Sequence, residues 1–473
     1  MSSLLLRGGR VIDPASGLDS VTNVRVDGGA VTGISAADMT ADEVIDCQGL
    51  VVSPGFIDLH VHAHDEFTQQ LMVRGGVTTA LELELGSVDV GEFCRRLGDV
   101  SYLNFGASAG YGYLRTLRQT GIRYSKIAPE MTAEEHRRVE RYAKMQITEE
   151  DVSAVHDLVR EQIESGGIGI GLGIEYNQGA DPAEILSLFY LAADLQAVVY
   201  VHTREWPNAN RGTPLGAVQE IIANAATTGT SSHICHVSSK GLEDTPLILR
   251  ALRDARGRGV PITAEVPSFA GATGDIGSAL FDEGWTDRWN ADYSALEWPV
   301  TGERLTKERF MELRATQPQA LVWKHITPES AVEAALRDPD VLIASDAVPV
   351  RPETPGNPRA AGTHARILGH YVRDQGVLTL PEAIAKMTTL PARRIEQICP
   401  AMKRKGRIDA GADADIVVFD YDQIAEQATV LRPDQVSAGI RHVAVAGQLV
   451  VRDGRLTGHR PGQALYGSAK THD

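Results

Sequence analysis

The sequence predicts an α/β fold: a (β/α)8 TIM-like barrel carrying a small β-sandwich domain built from both chain termini. Three observations predict it. Short apolar runs rich in β-branched residues alternate with helical stretches through the middle of the chain, the mark of parallel βα units. Several of those runs stop at a histidine or an aspartate, the strand end at which barrel enzymes gather their polar groups. The two ends of the chain share a different texture, short strands broken by turns.

Taken in order, the opening strands fall at 4–6, 10–13, 24–26 and 30–34. Eight barrel strands follow at 56–62, 77–84, 103–109, 168–175, 198–202, 233–237, 262–266 and 341–346. Before the fourth of these, Thr148 caps a helix whose first turn is Glu149-Glu150-Asp151. Val152, Val155, Leu158, Val159 and Ile163 form its apolar face, and Gly166-Gly167 stops it. The insertion at about 267–340 is too long for an ordinary connection and predicts a lid or wall over the barrel mouth. It holds Trp285, Trp289, Trp298 and Trp323, which either pack this excursion onto the barrel or grip an apolar group of a ligand. Closing strands fall at 416–420, 442–445 and 448–451, the last two joined by Ala446-Gly447 in hairpin fashion. The implied boundaries are 1–52 and 404–473 for the sandwich and 53–403 for the barrel.

The run Pro54-Gly55-Phe56-Ile57-Asp58-Leu59-His60-Val61-His62 ends in two histidines one residue apart. Alternate residues of a strand point the same way, so both imidazoles can meet one divalent metal. Alone, such a pair is as often two polar residues on a half-solvated strand. Later strands add His202, His236 in Ser232-His233-Ile234-Cys235-His236, and Asp346 after Val341-Leu342-Ile343-Ala344-Ser345. Each has a plain reading singly, as a satisfied core histidine or a helix cap. Delivered together at four strand ends they make a constellation.

Composition bounds the function. A chain of 473 residues, 43% hydrophobic, buries a large core, and a net charge of −16 argues against nucleic acid and anionic membranes. The four cysteines, at 47, 94, 235 and 399, form no paired motif and suit a reducing cytoplasm. The opening Met1-Ser2-Ser3-Leu4-Leu5-Leu6 is too short for a signal peptide, and no apolar run reaches the ~18 residues of a membrane span. The expected setting is the cytoplasm and the expected partner a small-molecule substrate, with self-association into a homo-oligomer left open.

Pro-Gly-Phe-Ile-Asp-x-His-x-His, the later histidines, Ser345-Asp346, and the closing Gly406-Arg407-Ile408-Asp409-Ala410-Gly411-Ala412-Asp413-Ala414-Asp415 resemble the metal-dependent amidohydrolase superfamily. Within it the chain is most similar to the D-aminoacylase group of N-acyl-D-amino-acid deacylases. That narrower likeness rests on Gly173-Ile174-Glu175-Tyr176, His202-Thr203-Arg204-Glu205, Ala270-Gly271-Ala272-Thr273, Pro358-Arg359-Ala360-Ala361-Gly362-Thr363 and Leu368-Gly369-His370-Tyr371. It covers nearly the whole chain. The chain departs from the group in three places: Gly76-Val77-Thr78-Thr79-Ala80-Leu81-Glu82-Leu83-Glu84-Leu85-Gly86, a run without a thiol, where the group has a metal-binding cysteine after its second strand, Gly110-Tyr111-Gly112 where it has Gly-His-Gly, and His236-Val237-Ser238 where it has His-x-Lys. The last, continued as His236-Val237-Ser238-Ser239, is similar to the His-Val-Ser-Ser of dihydroorotases and hydantoinases.

The resemblance implies one or two divalent ions, zinc above others, with His60 and His62 holding one and His202 and His236 the other. Asp346 joins the ligands and moves the proton from water to the leaving nitrogen. Relatives bridge their ions with a carbamylated lysine, a glutamate or a cysteine, and the fourth strand contains no lysine. Glu84 is the expected bridge, on the reading that Glu82 and Glu84 share a face with Thr78 and Ala80 while the leucines turn to the helices. Glu175 is the rival. Tyr111 and Tyr176 are candidates for the scissile carbonyl or a substrate carboxylate, and Arg204 and Arg359 for bidentate pairing with such a carboxylate. The function expected is hydrolysis of a linear amide, the acyl group of an N-acyl (D-)amino acid. The alternatives are a cyclic amide hydrolase of the dihydroorotase or hydantoinase kind and a non-catalytic scaffold.

Overall fold

Eight parallel strands follow one another round a ring in the computed structural model, which describes residues 2–124, 132–204, 213–318 and 320–470. We label them β1 (Phe56–Asp58), β2 (Val77–Ser87), β3 (Asn104–Gly110), β4 (Ile170–Gly173), β5 (Val198–His202), β6 (Ser231–Ile234), β7 (Ile262–Val266) and β8 (Val341–Ile343). Each pairs with the next in register order. The ring closes just past the strand ends: Val61 bridges Ala347, and the His62 amide donates to the Ala347 carbonyl at 2.7 Å. The buried Asp58 carboxylate ties the same seam, accepting from the amides of His60 at 3.2 Å and Ser345 at 3.1 Å.

The sequence extends β1, β4 and β8 as far as His62, Glu175 and Asp346. The sheet releases the chain earlier, so these side chains stand on the turns that follow. Leu81 and Leu83, expected to face the helices, instead pack with Ile57, Leu59, Val198, Tyr200, Cys235 and Leu342, and with Ala392, Ile395 and Met402 from the helical segment downstream of β8. The strict alternation fails because β2 bulges. Glu82 pairs with Ala107 and Ser87 with Ala109, so extra residues of β2 loop out between them, and Gly86 turns there with φ +70°. That bulge carries Glu84.

The helix Glu149–Glu164 forms as its caps require: Thr148 accepts from the Asp151 amide, and Val155, Val159 and Ile163 are buried. The long insertion builds a sheet of four short strands in the order Ala272–Asp275, Leu321–Lys324, Leu296–Trp298 and Glu303–Arg304. Trp285, Trp289 and Trp298 join Phe281 and Phe310 in a core of its own, and Trp323 covers Gly271, where a Cβ would lie 2.5 Å from the indole. The tryptophans pack the excursion.

Both ends of the chain enter one nine-stranded sheet. Val51–Pro54 pairs antiparallel with Ile416–Phe419, joining the N-terminal strands to Ile440–Val445 and Gln448–Arg452. Residues 4–13, which the sequence divides in two, form one strand, Leu4–Asp13, with a bulge at Gly8, φ +72°. Ala446 and Gly447 both have positive φ, as a tight two-residue hairpin turn demands. The tail returns to the barrel, where Leu465 donates its amide to Phe105 at 2.7 Å and its side chain joins the cluster of Leu81 and Leu83.

Candidate metal centre

The β2 bulge places Glu84, 2% exposed, at the centre of the barrel's carboxyl end. One oxygen, Oε2, lies 3.1 Å from His60 Nε2 and 3.0 Å from His62 Nε2. The other, Oε1, lies 2.8 Å from His202 Nδ1 and 2.7 Å from His236 Nε2. Within each pair the ring nitrogens also face each other, His60 and His62 at 3.1 Å, His202 and His236 at 3.0 Å. A single carboxylate thus divides two histidine pairs. Ligand atoms of His60, His62 and Asp346, and of Glu84, His202 and His236, gather within 4.8 Å of one another, a spacing open to a metal ion.

The outer ring nitrogens fix the rings. His60 Nδ1 meets Glu265, His62 Nδ1 meets both oxygens of Glu82 at 2.9 Å, and His202 Nε2 meets Glu175 at 2.5 Å. A carboxylate that accepts from one ring nitrogen leaves the other with its lone pair aimed inward, the arrangement metal-ligating histidines use. Glu175 therefore stands behind His202, not between the two pairs, and it also receives the Lys240 ammonium. His236 and Asp346 adopt positive φ, +35° and +53°, a strained conformation for residues with side chains that recurs at functional sites.

Asp346 directs Oδ1 towards His60 and His62, 3.4 Å and 3.7 Å from their Nε2 atoms, and gives its other oxygen to Arg359. Burial raises the affinity of such a carboxyl for its proton, but His60 and Arg359 outweigh it and hold Asp346 well below the usual carboxylate range. Glu84 is lowered in the same way by His60, His202 and His236 against its burial. His60 goes the other way: burial opposes its charge, yet Glu84, Glu265 and Asp346 raise it well above the ordinary histidine value. The negative charge gathered here draws a proton onto His60, and the same field favours a divalent cation among imidazoles. These donors fit a pair of such ions.

Three of the four expected substrate groups are engaged elsewhere. The Tyr111 hydroxyl donates to Glu184 at 2.6 Å, and Glu184 also pairs with Arg115, so Tyr111 belongs to a buried network behind β3. Arg204 spends its fork on Glu220, both contacts at 3.1 Å, and on the Ala180 carbonyl at 2.7 Å. Arg359 is held by Asp346 and by the Gly271 carbonyl at 2.6 Å and so does not stand free as a carboxylate clamp. Tyr176 remains at the mouth, 40% exposed, its ring 4.7 Å from that of His202. Glu205, part of the motif after His202, lies outside the described residues. Sequence reading missed Glu265, although a lone acid inside the apolar run of β7 was its signal, and Lys240, whose signal was faint.

A model of the amidohydrolase family, Amidohydro_3, matches residues 102–451. The chain belongs to the amidohydrolase family. Two proteins of Alcaligenes xylosoxydans xylosoxydans are similar to this amidohydrolase over 98% of its length: an N-acyl-D-glutamate deacylase, 27% identical over 96% of its own chain, and a D-aminoacylase, 29% identical over 98% of its own. A dihydroorotase of Geobacter metallireducens is 26% identical over 88% of this amidohydrolase and 90% of its own chain. Among solved structures, an N-acyl-D-glutamate deacylase from Bordetella bronchiseptica, complexed with zinc and a phosphonate inhibitor, superposes with a TM-score of 0.78. It is 22% identical and covers 98% of this amidohydrolase and 99% of that chain. The shared fold is the barrel with its terminal sheet.

Proposed function

We propose that the protein is a metal-dependent hydrolase that deacylates N-acyl amino acids, D forms preferred. The observation that carries the hydrolase reading is Glu84, whose two oxygens each face a histidine pair. His60 and His62 would hold one divalent ion, His202 and His236 the other, with Glu84 between them and Asp346 beside the first. Bound ions supply Lewis acidity to the scissile carbonyl and to the attacking water. Asp346 Oδ1 accepts the proton that water gives up and delivers it to the leaving nitrogen, while Arg359 holds Oδ2 and fixes which oxygen faces the reaction. Tyr176, whose ring lies 4.7 Å from that of His202, would donate to a substrate oxygen. Deacylase relatives along nearly the whole chain support the linear amide as substrate.

His236-Val237-Ser238-Ser239 and the dihydroorotase relative favour a second reading, a cyclic amide hydrolase. A panel of N-acetyl and N-formyl D- and L-amino acids against hydantoins and dihydroorotate, followed by chromatography of the products, decides between them. Release of free amino acid from the D series is the expected result. Turnover of the cyclic amides alone would transfer the site to the second reading, and no turnover of either by zinc-loaded protein would favour a scaffold.

A further inference from the structure

The arginines at the two ends of the helix Arg359–Arg366 grip one short segment of chain. Arg359 donates to the Gly271 carbonyl at 2.6 Å and to Asp346, and Arg366, about two turns further on, donates to the Ser268 carbonyl at 3.1 Å. Between the two anchored carbonyls, Phe269 and Ala270 line a cavity of about 420 Å³. Trp323, Pro358 and Val430 add apolar wall, and neither Glu84, Asp346 nor the histidines around Glu84 reach it. Trp323 is the residue that covers Gly271, and Pro358 directly precedes Arg359, so the cavity touches the support of Asp346 from two directions.

The polar part of the wall is unbalanced. Arg366 reaches Glu426 at 2.7 Å and Glu329 at 3.4 Å, and its guanidinium lies 5.3 Å from the centre of the Phe269 ring. Two carboxylates face one guanidinium, which leaves a negative charge over. Their side chains are 22% and 43% exposed, so a ligand can meet them without unfolding the wall. Volumes of ~300–1,000 Å³ with mostly apolar walls and a few polar groups are those of small-molecule sites. Aromatic faces beside a surplus carboxylate select a cation with an apolar body.

We propose that this cavity is an effector site for an organic monocation, a primary amine on an aromatic or aliphatic body, and that filling it slows hydrolysis by shifting the hold of Arg359 on Asp346. The route is short. An ammonium drawn to Glu426 and Glu329 competes with Arg366 for them, which loosens Arg366 from the Ser268 carbonyl. Gly271, at the other end of the same segment, then moves against Arg359. The effect on hydrolysis rests on the metallohydrolase reading, whereas the binding does not.

Isothermal titration calorimetry of the zinc-loaded protein with 2-phenylethylamine reads the binding, with 2-phenylethanol and 3-phenylpropionate as neutral and anionic counterparts. The amine should fill a single site per chain and the counterparts should bind about 10- to 100-fold more weakly, the worth of a hydrogen bond to a charged group. Glu426→Gln, which removes the charge and keeps the size, should weaken the amine by a similar factor, and Val430→Trp, which fills the cavity, should abolish its binding. With an N-acyl amino acid as substrate, the amine should lower kcat and leave KM unchanged. A rise in KM alone would place the amine at the metal centre and overturn the proposal, as would equal binding of the three compounds or an unchanged affinity in both variants. If Glu426→Gln fails to fold by circular dichroism, Val430→Trp decides alone. Absence of turnover with every amide defeats the hydrolase reading and the effect on hydrolysis with it, while the calorimetry still decides the cavity.

Discussion

Arg359 donates to one oxygen of Asp346, and the other oxygen of Asp346 stands 3.4 Å from His60 Nε2. The arginine expected to grip substrate therefore aims the residue we propose as the proton carrier. Asp346→Asn should retain metal while lowering turnover by ~10² to 10⁴, the usual range for a lost general acid–base group. Arg359→Lys cannot serve both Asp346 and the Gly271 carbonyl, and should lower kcat by roughly tenfold to a hundredfold, the worth of a hydrogen bond to a charged group, with little change in KM. Steady-state kinetics on both variants checks this. A rise in KM alone for Arg359→Lys would restore its role as a substrate clamp.

Glu84 and Glu175 can be ranked by metal content. Glu84→Gln takes charge from between the two histidine pairs and should cost both activity and bound zinc. Glu175→Gln alters only the group behind His202 and should cost less, about 10- to 100-fold in affinity at that position. Zinc titration against a chromophoric chelator measures both, and the reverse order would move the bridge to the end of β4.

His364 offers a test remote from the site. It is stacked on Phe56 with ring centroids 5.2 Å apart, and burial pushes it down to about 3. Between that value and the unfolded value of about 6.5 the unfolded chain binds the extra proton, so stability is full above pH 6.5 and is lost as pH falls below it. The loss at pH 5 relative to pH 7 is about 2 kcal/mol. His364→Leu should be less sensitive to acid by that amount, since other groups cancel in the difference. Urea titrations of both proteins at the two pH values read it directly, and equal losses would show that His364 charges without penalty.

Leu465 is 3% exposed in the cluster that plugs the barrel interior. Leu465→Ala should cost about 2–5 kcal/mol, the range for a buried leucine cut to alanine, and leave kcat unchanged at assay temperature. Denaturant unfolding and kinetics on one preparation separate the two effects.

The histidines, Asp346 and the eight strands were legible because each depends on local pattern: apolar runs of the right length and polar residues at their ends. What escaped depends on irregularity or on pairing across the barrel. Alternation counted back from Glu84 puts Leu81 and Leu83 on the helix face because it assumes an unbroken pleat, and the β2 bulge between Glu82 and Ser87 breaks it. Arg204, Arg359 and Tyr111 were residue types suited to a carboxylate or carbonyl, and nothing in one dimension shows that Glu220, Asp346 and Glu184 reach them first. Glu265 was visible as an acid in an apolar strand, but its meaning required His60 and His233 on either side.

The antiparallel pairing of Val51–Pro54 with Ile416–Phe419 sets a schedule for synthesis. The partner of the early strand lies about 360 residues downstream, so at ~5–20 residues per second a ribosome needs roughly 20–70 s to supply it. Throughout that interval the edge of Val51–Pro54 has no strand to accept its hydrogen bonds, while the barrel beside it is being completed. A nascent chain stalled after β8 would carry that open edge to whatever chaperone or neighbouring chain meets it first.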